Sequence, residues 1–415
     1  MQRQLERNLK WIPAHELLVR MSPWIAVFVL FSRSNFELEG AIQLASIYYL
    51  SVVVLEVPSG WMSDRLGRVL TLRVAAIAWV GSFSCFLFGV DQFLLVVLGQ
   101  VLLAAGYASL SGTDVTFHYD TLEALDRQDE YPKRQARLAG RGLLASAAGA
   151  LVGGVLGLVD VRLAFLASGL LALVQLGVAW QFEEPPPGDD EASSIGAQIA
   201  SCLGYLRDIP LAWIFGYGVA MVVLEHVAFT LLQPWLTEAL DRTAEDFGAA
   251  PLAAGAMVAV VSVVGSGFAR GSVGMASRFG LKTTLVGLGV LSAVIVSMMA
   301  ASTHLAVIAI IVFRSAQGSA APVLISSAVA PIVAQQHRAT FLSLDSLGGR
   351  LAYGGLLLVV STNAGDDVSG AIAKLALVSW ILVALTVVSA VAVHRFAASP
   401  ESPHQDPPQS KDGSL

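Results

Sequence analysis

Charged side chains stand inside several long apolar runs of this sequence, and their spacing limits the chemistry open to it. The run VVLEHVAF (Val222–Phe229) carries Glu225 about 14 residues beyond Leu211, roughly 21 Å along a helix. Another run, LLVVLGQVLLAAGYASL, ends in SGTDVTFHYD (Ser111–Asp120), which holds two acids and a histidine. Glu16 and Arg20 are four apart, Asp345 and Arg350 five apart, and Gln100 and Arg314 interrupt further runs. A charge at the centre of a membrane helix costs about 2.5–3.5 kcal/mol by insertion scales. Such residues therefore pair with one another, carry protons, or meet a solute in a wet cavity. A carboxyl at the depth of Glu225 can cross hydrocarbon neutral and ionise when water or a cation reaches it. The alternative is an acid bonded to Arg350 or Arg314. Asp114 has His118 one turn away. A pair lining a cavity and a pair that satisfies itself are equally open for these two.

The elements that must position these groups follow from composition. Hydrophobic residues make up 55% of the 415-residue chain and charged ones 13%, with a mean hydropathy of +0.68. Soluble domains carry roughly 25% charged residues, so the solvent implied here is a bilayer. Apolar stretches of about 20 residues span a hydrocarbon core of about 30 Å. Runs such as LAVIAIIVF (Leu305–Phe313) lack the two-residue alternation of a membrane barrel. The expected fold is an all-α polytopic membrane protein with twelve spans: 13–33, 41–60, 70–90, 93–118, 139–159, 162–181, 211–233, 251–271, 283–302, 304–327, 340–361 and 372–396.

With both termini inside, the cytoplasmic segments and the span ends that border them collect 18 of the 25 Lys and Arg residues. That is the asymmetry of the positive-inside rule. The Pro- and acid-rich EEPPPGDDEASS (Glu183–Ser194) cannot continue a helix. It divides the chain into a six-helix bundle (1–181), a cytoplasmic linker (182–210), a second six-helix bundle (211–397) and a disordered cytoplasmic tail (398–415). No cleavable signal peptide is read in the first span, which is long and holds Glu16 and Arg20. Cys85 and Cys202 form neither a disulfide framework nor a metal cluster. GSGFARGSVG (Gly265–Gly274) lacks the Lys-Ser/Thr of a phosphate-binding loop, and no nucleophile or metal-ligand motif marks an enzyme. No cofactor or metal is expected.

The halves show weak internal similarity. SDRLGRVLTL (Ser63–Leu72) matches ASRFGLKTTL (Ala276–Leu285) at Arg65/Arg278, Gly67/Gly280 and Leu72/Leu285. Gln100 stands where the second half has Arg314. A parallel duplication implies two bundles around a midplane site. GWMSDRLGRV (Gly60–Val69) then resembles the signature of the major facilitator superfamily between its second and third spans. Gly60, Asp64, Arg65, Gly67 and Arg68 fit it, and Val69 departs in the last position. In the family this cluster latches the cytoplasmic side. The resemblance adds Asp120, as partner of Arg68, and Glu56 to that latch. Read physically, Asp64 can face a helix N-terminus of the other bundle, and Arg65 and Arg68 can pair with acids at span ends.

Further resemblances bear on coupling. Arg314, Gln317 and Gly318 match an Arg-x-x-Gln-Gly pattern linked in the superfamily to proton transfer, although the pattern usually sits in span 4. ASAAGALVGG (Ala145–Gly154) resembles the antiporter motif at Gly149, Gly153 and Gly154, with Ala145 and Ala150 replacing a Gly and the Pro. Small residues at that spacing also serve helix packing. Spans 1, 4, 7 and 10 line the cavity in the superfamily. That favours Arg20, Asp114, Glu225 and Arg314 over Arg350, which is on span 11. The candidate cavity residues are Arg20, Glu16, His118, Tyr107, Gln100, Phe229 and Arg350, and the candidate proton-coupling set is Glu225, Asp114 and Arg314. Text before the signature, in span 4 and at RATFLSL (Arg338–Leu344), is similar to a bacterial branch of predicted drug or metabolite exporters. The resemblance implies a monomeric secondary transporter of the cytoplasmic (inner) membrane that exports a small molecule against protons by alternating access, with the bilayer and its cargo as partners and no nucleic acid. Import by symport or facilitation is the alternative, and a membrane-embedded enzyme or sensor the more distant ones.

Overall fold

The computed structural model describes residues 2–28, 31, 38–89, 92–186, 194–230, 251–302, 304, 306–361 and 368–397. Within them the chain is helical, in the order α1 (Gln2–Arg20), a 3-10 turn (Pro23–Ala26), α2 (Leu38–Leu66), α3 (Arg68–Phe88), α4 (Phe93–Leu110), α5 (Thr113–Glu123), α6 (Tyr131–Gly157) and α7 (Val161–Ala179). The second half runs through α8 (Ile195–Gly204), α9 (Ile209–Thr230), α10 (Pro251–Phe279), α11 (Leu281–Ala301), α12 (Ala306–Ile311), α13 (Ser315–Val329), α14 (Arg338–Ser361) and α15 (Val368–Ala397).

Among the described residues, eight helices are long and apolar enough to cross a bilayer. The other expected spans fall on α1 with its 3-10 turn, α2, α9 and α14. These carry Glu16, Glu56, Glu225 and Asp345, or run into residues outside the described set. Exposed apolar side chains such as Leu50, Leu94, Leu170 and Val388 cover the outer faces, as lipid contact requires. The tail expected at 398–415 lies outside the described residues.

Three spans expected to be continuous are broken. Span 1 starts as early as Gln2 and interrupts after Arg20, where Pro23 opens a 3-10 turn. Span 4 breaks at Ser111–Gly112, where Gly112 takes φ +75°, a conformation that favours glycine. Span 10 tightens into a 3-10 turn over Val312–Arg314. Hydropathy does not register such breaks, because one glycine or one tightened turn leaves the apolar count unchanged. The linker also holds more structure than its composition suggests. α8 is capped by Ser194, whose hydroxyl accepts the Ala197 N–H, and α8 with its following turn meets α9 at 111°.

The duplication is visible in the helices themselves. α2 and α10 both have 29 residues, and α3 and α11 both have 21. Each pair is offset by 213 positions at both ends, the spacing that separates Gly67 from Gly280. Both glycines have positive φ, +109° and +82°, and each makes the turn between its two helices. The halves meet along α6–α10 and α2–α14. At α6–α10 the approach is backbone to backbone. A Cβ on Gly154 would lie 2.9 Å from the Pro251 carbonyl oxygen. On the same helix, against the break in span 1 of its own half, a Cβ on Gly149 would lie 2.6 Å from the Ser22 nitrogen and one on Gly153 would overlap the Pro23 carbonyl. Each half also has its own core. Phe31, Phe86 and Phe165 form an aromatic cluster in the first, with Phe31 and Phe165 4.8 Å apart. Leu285, Leu324 and Phe341 are buried in the second.

Gly153→Ala should destabilise the protein by about 1–3 kcal/mol, since backbone rather than a flexible side chain must move. Gly177→Ala, with open space around its Cβ position, should cost nothing and can gain up to about 1 kcal/mol of helix propensity. Melting temperatures of the purified variants in detergent test the contrast.

Candidate functional site

At the end of the bundle carrying Gly60–Val69, α2 finishes with Asp64 and Arg65, Gly67 turns the chain, and α3 begins with Arg68. The carboxylate of Asp64 reaches into the other half and accepts the backbone N–H of Ala339 (3.2 Å) and of Thr340 (2.8 Å). It also takes the Thr340 hydroxyl at 2.6 Å. These are among the free donors of the first turn of α14, so an acid from one half caps a helix of the other. Gly60 allows the approach: a Cβ there would lie 2.7 Å from the Ser343 Oγ.

Asp120 is buried between two arginines. Arg68 Nε donates to its Oδ2 at 3.0 Å, and Arg338 Nη1, from the second half, donates to Oδ1 at 2.5 Å. Arg68 also bonds the Ser63 carbonyl and, across the halves, the Gln335 carbonyl. Arg338 is held further by both oxygens of Glu123 and by the Val333 carbonyl, and lies over the Tyr119 ring at 4.4 Å. Buried charges persist only when paired and bonded in this way.

Gln198 of α8 sits beneath this cluster, fully buried. It accepts from Arg65 at 2.8 Å and donates to Asp64 and to the Gln336 carbonyl. Glu184 accepts the N–H groups of Arg68 and Val69 at the Gly67 turn. Burial pushes its carboxyl above the usual range, opposed by those two backbone bonds. Arg338, Glu123, Gln198 and Glu184 were not singled out for this cluster from sequence. Each lies far along the chain from the signature, and each is an ordinary polar residue in its local text. Glu56, expected in the cluster, lies elsewhere. It accepts from the Ser111 hydroxyl and stands 3.7 Å from Arg350.

Between the halves lies a cavity of about 420 Å³. Arg20, Tyr107, Asp114 and Ser146 line it from the first half, and Met221, Ile325 and Asp345 from the second. The break in span 4 puts Ser111 and Gly112 on its wall, and Asp114 accepts the N–H of Val115 at 2.8 Å. Arg20 Nε donates to Glu16 at 2.8 Å, with the guanidinium half exposed and Glu16 buried behind it. His118 does not share this space with Asp114. It bonds Gln135 at 2.8 Å and lines a separate cavity with Lys133, Arg137 and Arg141.

Other expected residues stand around the cavity or away from it. Gln100 is buried in α4, and Arg350 bonds Ser346 beside Glu56. Glu225 packs its carboxylate into the notch at Gly318, and its charge acts on Arg314. Gln317 accepts from Ser292 at 2.7 Å. The Phe229 side chain lies outside the described residues. Asp345, which the sequence placed near Arg350, instead faces α9 at Gly218.

A two-bundle helical membrane fold, a cavity lined from both bundles and a charged junction at one end define a transporter architecture. The family description Major Facilitator Superfamily matches residues 18–268, and the chain belongs to that superfamily. It is thus a multi-pass membrane protein in a family of small-molecule transporters. The E. coli fucose:proton symporter FucP aligns over 91% of this chain and 97% of its own at 13% identity, with a TM-score of 0.67. A bacterial homologue of the iron transporter ferroportin, in an outward-facing state, covers 93% and 99% at 15% identity and a TM-score of 0.68. The human organic anion transporter TETRAN covers 91% and 99% at 16% and 0.65. At these identities the likeness is one of fold. No curated protein sequence matches the chain.

Arg338→Ala should leave Asp120 under-paired and cost about 3–5 kcal/mol of local stability. Cys202 is fully buried in α8, its Sγ 3.7 Å from the His337 carbonyl. Its labelling by a maleimide should rise several-fold in the variant, while Cys85 in α3 labels as in wild type. Equal gains at both cysteines would mean general unfolding instead of a loosened junction.

Proposed function

We propose that the chain is a secondary transporter of the cytoplasmic membrane that exports a small molecule in exchange for protons, with both termini and the Gly60–Val69 end facing the cytoplasm. The observation that carries this reading is the cavity between the halves, lined from both and adjoined at one end by the Asp64–Arg68–Asp120–Arg338 junction. In alternating access this junction is the cytoplasmic latch, with Gly60, Asp64, Arg65, Gly67, Arg68 and Asp120 as its parts. Arg338 closes it from the other half. The latch breaks when the bundles rock apart and re-forms when the cavity faces outward.

Glu225, Asp114 and Arg314 are the proton-coupling residues in this reading. Glu225 and Arg314 influence one another across the α9–α13 contact, and a proton arriving on Glu225 would release that hold. Asp114 stands on the cavity wall, where protonation and cargo can communicate. Export in preference to import is supported by Gly149, Gly153 and Gly154. These antiporter-like glycines lie where α6 meets the second half and the break in span 1.

Everted membrane vesicles with an imposed pH gradient, acid inside, test the reading. A panel of organic cations, antibiotics and small metabolites is added while the gradient is followed. Collapse by a panel compound with wild type, lost in Glu225→Gln, is the expected outcome. Collapse with both proteins would keep antiport and remove Glu225 from the coupling step. No collapse by any compound with folded wild type would sink antiport in favour of uptake or facilitated diffusion.

A further inference from the structure

Asp345 differs from every other acid at the cavity. Glu16 is held by Arg20, Glu56 by Ser111 and Arg350, and Asp114 accepts a backbone N–H and lies in the field of Arg20. The carboxylate of Asp345 rests in the notch at Gly218, and its Oδ1 accepts no hydrogen bond among the described residues. No Lys, Arg or His among those residues forms an ion pair with it. A buried charge without a partner is costly, and a partner arriving from outside removes that cost.

The acidic and basic side chains on the cavity wall, the Tyr107 phenol aside, are Arg20, Asp114 and Asp345. Arg20 is already committed to Glu16. Adding Glu16, Glu56 and Arg350 from behind the wall leaves more acids than bases, so the field inside favours a positive guest. The rest of the wall includes Val19, Ile25, Val222, Pro322, Ile325 and Leu342, with the Tyr107 ring at one side. A volume of about 420 Å³ is within the range of ligand pockets, roughly 300–1,000 Å³. It far exceeds a bare metal ion, and no group of three His, Cys, Asp or Glu among the described residues could hold one. One unmatched carboxylate, apolar walls and an aromatic face suit a single positive charge on a bulky organic body.

We infer that the cargo is a bulky organic monocation and that Asp345 is the carboxylate that recognises its charge. This rests on the transporter reading of the cavity, and it adds the class of the cargo and the residue that selects it. Gly218 belongs to the same device: it gives the carboxylate its seat, and a side chain there would displace it.

The test is equilibrium binding of radiolabelled tetraphenylphosphonium to purified full-length protein by scintillation proximity. Radiolabelled tetraphenylborate, of the same shape and opposite charge, is titrated in a separate experiment, because the two ions precipitate together. Wild type should bind the phosphonium saturably and should show no saturable binding of the borate. Asp345→Asn, nearly the same size, should weaken binding about tenfold or more, and Asp345→Glu should keep it within a few-fold of wild type. The inference is overturned by absence of saturable phosphonium binding to folded wild type, by saturable borate binding as tight as that of the phosphonium, or by wild-type affinity in a folded Asp345→Asn. If that variant does not fold, the comparison of the two ions on wild type still decides the sign of the guest. Binding needs no gradient, so the two readings can fail separately. A protein that binds the cation yet never collapses a pH gradient keeps the cargo class and loses antiport. One that collapses the gradient for other compounds and binds no cation does the reverse.

Discussion

The structure turns on the cost of placing Asp120 out of water between two helical bundles. One carboxylate, almost fully buried, is bonded by Arg68 of its own half and Arg338 of the other. Neither arginine could be buried there without it, and neither could rest on Asp120 alone. Arg68 needs the Ser63 and Gln335 carbonyls, and Arg338 needs Glu123, Val333 and the Tyr119 ring. The cluster is stable only as a set, because any member left over is an uncompensated charge in a medium of low dielectric. A junction of that kind tends to be fully made or fully broken. Two discrete arrangements are what a rocking transporter requires.

The rest of the signature loop follows from this constraint. Gly67 turns the chain so that Arg68 can begin α3 and point back at Asp120. Gly60 brings α2 close enough for Asp64 to cap α14, which sets the position of Arg338 in its first turn. The linker takes part as well. Gln198 bonds Asp64, Arg65 and the α13–α14 connection together, so α8 is a component of the junction and not merely a tether.

Away from the junction, small residues and broken helices do complementary work. Glycines on α6 and α10 let backbones touch, which suits a pair of helices that meets in lipid without a hydrophobic driving force. The breaks at Ser111–Gly112 and after Arg20 border the cavity and place Asp114 and Arg20 at its wall. Irregular backbone at that depth is tolerated where it borders a cavity. The acids and histidine of SGTDVTFHYD are thereby divided among three settings: Asp114 at the cavity, His118 on Gln135, and Asp120 in the junction.

The sequence by itself determined the solvent, the helical class and the twofold repeat. These depend on composition and on a fixed spacing, and both survive without coordinates. It also named Arg68 with Asp120, because the resemblance to the superfamily signature implies that pair, and Asp64 facing a helix end of the other bundle, because an acid suits a helix N-terminus. Only the tertiary structure decided which distant groups complete each site. Arg338 and Glu123 joined Asp120, Glu56 went to Ser111 and Arg350, and His118 turned away from Asp114. Asp345 was legible as a charge in a span, but its isolation was not. Whether a buried carboxylate has a partner depends on the side chains of other helices, here the bare surface of Gly218, and no pattern along one helix records that.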